Sequence, residues 1–189
     1  MKEKTKNNIK IAVISAIALV LVSAIVLTAV LCFGGGLSKK VDKSLKSAKT
    51  ATISVAVKDG ESCVYSLEKA ISFIDGGANV TTTTKKLNPN SFGFKEETLN
   101  EFVESATAKD SLSLNLSKEI FSSKETSGKE TTAVVSKANA NAFFGVTDAK
   151  ANTDVTVKFV FEKNKLVSIS IVYTLVSGKA VEMTATYTY

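Results

Sequence analysis

Ser66-Leu67-Glu68-Lys69 has the spacing of an activated nucleophile: in Ser/Lys acylases an S-x-x-K segment starts a helix on which the amine and the hydroxyl converge. Here the segment lies in a stretch of period-two hydropathy that sends Ser66 and Lys69 to opposite faces, and the companion S-D-N and K-T-G signals are absent. The match is therefore read as chance. Glu96, Glu97, Glu101 and Glu104 are close enough in sequence to suggest paired carboxylates or a calcium patch, but the EF-hand loop pattern is missing and a solvated charged face accounts for them. The chain has no His, so the usual general base is lacking, as are the His and Cys that zinc and iron sites need. Its two cysteines, Cys32 and Cys63, form no disulfide framework, and Cys63 reads as a small buried hydrophobe. No Gly-rich phosphate loop leads from a strand into a helix. These residues predict a non-enzyme with no cofactor and no metal.

All 24 basic residues are Lys, against 18 acids. Without the guanidinium fork that reads phosphate and guanine bidentately, nucleic acid is not an expected partner. The tail over 1–10 holds Lys2, Lys4, Lys6 and Lys10 against Glu3, which leaves the remainder only mildly basic. From Ile11 to Phe33 there is no charge, and as a helix this run spans about 35 Å at about 1.5 Å per residue, enough for a hydrocarbon core. It is too long for the apolar core of a cleaved signal peptide and reads as an uncleaved signal anchor, a single pass through the cell membrane. Lipidation at Cys32 is the alternative, but Leu31 stands where the lipobox takes Gly, Ala or Ser. Lys39, Lys40, Lys43, Lys46 and Lys49 flank the far end, so positive charge nearly balances across the span; the Lys-rich tail followed at once by the apolar run places the N-terminus inside. The segment 34–49 reads as a Gly/Lys-rich juxtamembrane stalk. Leu37, Val41, Leu45 and Ala48 recur in it at helical spacing, to lie along headgroups or pack on the domain.

The domain expected over 50–189 is extracytoplasmic and β-rich. Val155, Val157, Phe159 and Phe161, then Val167, Ile169, Ile171 and Tyr173, then Val181, Met183, Ala185 and Tyr187 alternate with polar residues. With turns at Lys163-Asn164 and Ser177-Gly178, this predicts an antiparallel meander. Ile53, Val55 and Val57, a turn at Asp59-Gly60, the run from Cys63 to Phe73 and a turn at Gly76-Gly77 repeat the pattern. Leu99, Phe102, Val103 and Ala106 predict a helix, with a capping-box spacing from Thr98 to Glu101. Leu112, Leu114 and Leu116 predict a strand, a hairpin turns near Ser127-Gly128, and a short helix over Ala138 to Phe144 ends at Gly145. The fold class is α+β: an N-terminal membrane helix, then a curved, mostly antiparallel sheet covered by a few short helices.

In the run of hairpins, the helical insert, Phe143-Phe144-Gly145 and the meander from Phe159 to Ile169, the chain resembles exported lipoproteins of the LolA/LppX kind. That resemblance implies an open half-barrel that carries or senses a lipid or another hydrophobic envelope component. It implies ligand contacts from Tyr65, Phe73, Phe159, Phe161, Ile171 and Tyr187 on the inward face. The alternative is an interaction module with a filled core and no small-molecule ligand, binding an envelope protein or a cell-wall polymer through its Thr/Lys sheet face or an edge strand.

Overall fold

Nine strands form, most of them on alternating apolar and polar residues: β1 (Thr50–Asp59), β2 (Ser62–Ile74), β3 (Gly77–Leu87), β4 (Phe94–Glu104), β5 (Phe121–Ser127), β6 (Glu130–Val135), β7 (Val155–Glu162), β8 (Lys165–Thr174) and β9 (Ala180–Thr188). The computed structural model describes residues 36–88, 93–111 and 113–189. The expected membrane segment over 11–33, the tail 1–10 and Cys32 lie outside the described residues, among which no helix is long and apolar enough to cross a membrane.

The strands form one antiparallel sheet in the order β4-β3-β2-β1-β9-β8-β7-β6-β5. Two meanders, β1 to β4 and β5 to β9, are joined where the first strand pairs with the last, Val55 opposite Met183. The expected open, mostly antiparallel sheet with a few short helices is what forms. Turn chemistry follows the sequence: Lys163 and Asn164 both take positive φ, 48° and 64°, matching the two-residue hairpin that the right-handed strand twist favours.

One face of the sheet is apolar, with Ile53, Val57, Val155, Phe159 and Ile169 all but inaccessible. Helix α1 (Gly36–Leu45) covers part of it, burying Leu37, Val41 and Leu45. Of the two places open to the Lys-rich segment, α1 takes the packed one. The chain between β4 and β5 returns from one sheet edge to the other and buries Ala108, Ser111 and Leu116 on the way. A short helix α2 (Ala140–Phe144) adds Phe143 and Phe144 and stops at Gly145, whose left-handed φ of 65° suits glycine.

α1 is fastened by a closed ring of hydrogen bonds. The Leu166 amide donates to Ser44 Oγ at 2.5 Å, Ser44 Oγ bonds the Tyr189 hydroxyl at 2.7 Å, and that hydroxyl donates to the Leu166 carbonyl at 2.7 Å. Ser44→Ala leaves a buried amide without its acceptor and is expected to cost about 1–2 kcal/mol in denaturant unfolding. An unchanged midpoint would mean that the ring contributes nothing net.

Two expectations fail. The helix expected over Leu99 to Ala106 does not form: residues 99–104 belong to strand β4, paired along its length with β3. Its apolar residues fit the helical period and fall on both faces of the strand, but the free backbone edge of β3 offers hydrogen bonds that override the local pattern. The strand expected over Leu112 to Leu116 does not form: residues 113–117 have no regular structure, and Leu116 is buried in the crossing segment. Leu112 lies outside the described residues.

Candidate functional site

The six residues named as inward contacts do lie on the apolar side, but they do not converge. Tyr65 is on β2, Phe159 and Phe161 on β7, Ile171 on β8 and Tyr187 on β9, all buried, while Phe73 at the end of β2 is half-buried. Aromatic contacts tie α2 to β5 and β8: Phe143 meets Phe144 edge-on at 4.9 Å and Phe121 at 6.4 Å, and Phe144 tilts against Tyr173 at 5.3 Å. Neither the Tyr173 nor the Tyr187 hydroxyl has a hydrogen-bond partner among the described residues. Ser111, beside Tyr187, gives its own hydrogen to the Ala108 carbonyl at 2.6 Å.

A cleft of about 50 Å³ opens where the crossing segment meets the edge of the core, between Phe73, Val80, Val103, Thr107, Ser111 and Lys69. It has room for a few waters, against roughly 300–1,000 Å³ for a ligand pocket. Lys69 is the residue that the pattern reading passed over. It is only 4% exposed, in the same alternating row as Leu67 and Ile71. Its parity in the sequence was the available signal. Burial lowers the pKa of its ammonium and the charge of Glu101 partly restores it. No carboxylate of the described residues lies within ion-pair distance of it.

Ser66 is on the opposite side of the sheet from Lys69, as expected, so no Ser/Lys dyad exists. A lone buried amine has nothing to activate here. Lys69→Met is expected to stabilise the fold at neutral pH by about 1 kcal/mol, because an apolar side chain carries no desolvation cost. The gain should shrink as pH rises through the lowered pKa towards 10.5 and vanish above it, where the amine is neutral in the folded and unfolded chain alike. Thermal melts at pH 7 and pH 10 test this, and a destabilised variant would give the amine a partner instead.

The larger concavity, about 390 Å³, is a trough on the polar side of β9, β1, β2 and β3. Its floor is two cross-strand rows. In one, Thr184, Ser54, Glu68 and Thr83 stand side by side; in the other, Glu182, Ala56, Ser66 and Lys85. Neighbouring strands are about 4.8 Å apart, so the rows repeat small hydroxyl and charged groups at that interval. The small Ala56 and Ser54 keep the middle low, while the Lys58–Glu182 and Lys85–Glu96 ion pairs, at 2.7 and 3.1 Å, hold the flanking charges. A shallow row of hydroxyls offers donors and acceptors to an extended partner. Among the described residues no cluster of carboxylates and Cys is placed to hold a metal.

The expected charged helix face with Glu96, Glu97, Glu101 and Glu104 becomes two strand faces. Glu97 and Glu101 share a side with Val103, and Glu96 and Glu104 lie on the other. Cys63 is a half-buried free thiol at the β1–β2 bulge, bonded to the Tyr65 carbonyl at 3.2 Å.

No protein-family model matches the chain, and no curated protein does. Among solved structures it is similar at low level to a redesigned β-barrel, mFAP1, bound to DFHBI, with 8% identity over 78% of this chain and 98% of that one and a TM-score of 0.24. GphF Dehydratase 1 follows at 8% identity, 81% and 83% coverage and a TM-score of 0.22. The dehydratase domain from the CurK module of curacin polyketide synthase gives 8%, 80%, 78% and 0.21. Likeness at this level assigns neither fold family nor activity.

Proposed function

We propose that the protein is a non-enzymatic interaction module, tethered to the cell membrane by its apolar segment over 11–33 and presenting its sheet outside the cell. Its polar sheet face would take up an extended, hydroxyl-rich cell-wall polymer. One contrast among the described residues carries this reading: on the apolar side there is a cleft of about 50 Å³, whereas the side lined by Ser54, Ser66, Thr83 and Thr184 holds a trough of about 390 Å³. A polymer with a hydroxyl on each unit can exchange hydrogen bonds with successive rows, and Glu68 and Lys85 add charged acceptor and donor. This is the filled-core alternative rather than the lipid carrier.

Co-sedimentation of the detergent-solubilised full chain with purified insoluble cell wall tests it. The wild type is expected in the pellet and Ala56→Arg, which raises the trough floor, in the supernatant. Native mass spectrometry of the same preparation should show no bound lipid. A lipid adduct on a protein that stays in the supernatant would reverse the choice and return the lipid carrier.

A further inference from the structure

Among the described residues β4 is an open edge, of a kind that proteins usually protect. It is eleven residues long, and Phe94, Leu99 and Phe102 are 53%, 59% and 51% exposed. The opposite edge, β5, is guarded: seven residues, Ser, Lys, Glu and Thr outermost, a bulge between Phe121 and Ser123, and Phe121 turned inward against Phe143.

The backbone of β4 shows which residues can accept a new strand. The Asn88 amide donates to the Gly93 carbonyl and the Ser105 amide to the Gly76 carbonyl, so odd-numbered residues of β4 bond to β3. Phe94, Glu96, Thr98, Asn100 and Phe102 therefore direct their N–H and C=O groups to the open side. Phe94 and Phe102 share the sheet face of Gly77, and Lys95, Leu99 and Glu101 share the other.

We propose that this edge pairs antiparallel with β4 of a second copy, about a two-fold axis at Thr98. An isologous antiparallel pair must oppose residues of equal parity, which leaves a handful of registers. An axis at Glu97 opposes Glu97 to itself. One at Leu99 puts Glu97 against Glu101, and one at Asn100 puts Glu96 against Glu104. At Thr98 no carboxylate faces another: Phe94 meets Phe102 of the partner, Lys95 meets Glu101, Glu96 meets Asn100, and the two-fold repeats each pair. The two Leu99 side chains then approach diagonally across the axis, within reach of each other on one face. The outward amides from Phe94 to Phe102 are all paired in this register, and Glu104 lies beyond the paired stretch. The dimer continues the sheet through both copies and leaves the trough of each uncovered.

Oxidative cross-linking of the full chain in detergent tests the register, in a background of Cys32→Ser and Cys63→Ala, with single cysteines at 97, 98 and 99. Residues on the axis are about 5.5 Å apart at Cα, within disulfide range. Thr98→Cys is expected to form covalent dimer rapidly, while Glu97→Cys and Leu99→Cys do so slowly. In sedimentation equilibrium the wild type should be dimeric. Thr98→Pro removes an outward N–H without touching the β3 ladder, and it should weaken association by about tenfold or more. Circular dichroism of that variant separates lost pairing from lost folding. A monomeric wild type, or cross-linking that is no faster at 98 than at 97 and 99, overturns the proposal.

Discussion

Phe143→Ala is expected to lower unfolding free energy by roughly 3–5 kcal/mol, a large part of the stability of a domain this size. Phe143 is fully buried, and its ring sits edge-on to Phe144 and Phe121 while its carbonyl accepts the Asn115 amide. It thus links three parts of the chain with little else in common: α2, the crossing segment and the guarded edge strand. Truncation removes the transfer free energy of the ring and leaves a void that these neighbours, fixed by their own backbone bonds, close only in part. Val176→Ala is the control, since that side chain is 64% exposed and lies away from β4, and it should change stability by less than about 1 kcal/mol. Equilibrium urea unfolding measures both. A loss below about 1.5 kcal/mol for Phe143→Ala would mean that α2 does not hold the cover in place.

The second large effect lies at high pH. Burial raises the pKa of Tyr187 from 10.0 to about 12, and burial alone raises Tyr173 further. Tyr65 and Tyr189 are raised too, and these are the four tyrosines of the chain. A raised phenol pKa means that the folded state prefers the proton. The stabilisation is complete below pH 10, where both states are neutral, and is lost as pH climbs through about 12. Tyr187 by itself accounts for roughly 3 kcal/mol of that loss, because its environment shifts the ionisation by about two pKa units. Lys69 acts with the opposite sign below 10.5, so stability should rise slightly and then fall steeply.

Tyrosinate absorbance is therefore expected to appear in step with the loss of β-sheet circular dichroism, in one cooperative transition above pH 10. A gradual titration centred near 10.0 in a still-folded protein would show that the rings are not held as described. Tyr173→Phe should move the transition upward, since it removes an ionisable hydroxyl that has no partner among the described residues.

Much of the sheet was readable because its determinants are local. Between Val155 and Tyr187, side chains two apart must share a face, and Lys163-Asn164 can adopt the positive φ values that fold the chain back. The same parity placed Ser66 and Lys69 on opposite sides and ranged Tyr65, Phe159 and Ile171 along one face. Parity also places Lys69 between Leu67 and Ile71. A charge expected in solvent hid a position that the pattern had already assigned to the core.

What the sequence by itself determined was the alternation, the turns, the apolar and polar sides, and the ending of α2 at Gly145, each set by neighbours within a few residues. The tertiary structure alone decided three things. Residues 94–104 became a strand, because β3 offered them a ladder that no local period could reveal. The first strand closed on the last, Thr50 to Lys58 against Thr188 to Ala180, a pairing whose partners lie at opposite ends of the domain. The crossing segment and α2 packed onto the apolar side, and a trough lies on the polar one. Periodicity specifies which way a side chain points. What stands opposite it, and whether space remains between them, depends on segments far away in sequence, and only packing settles that.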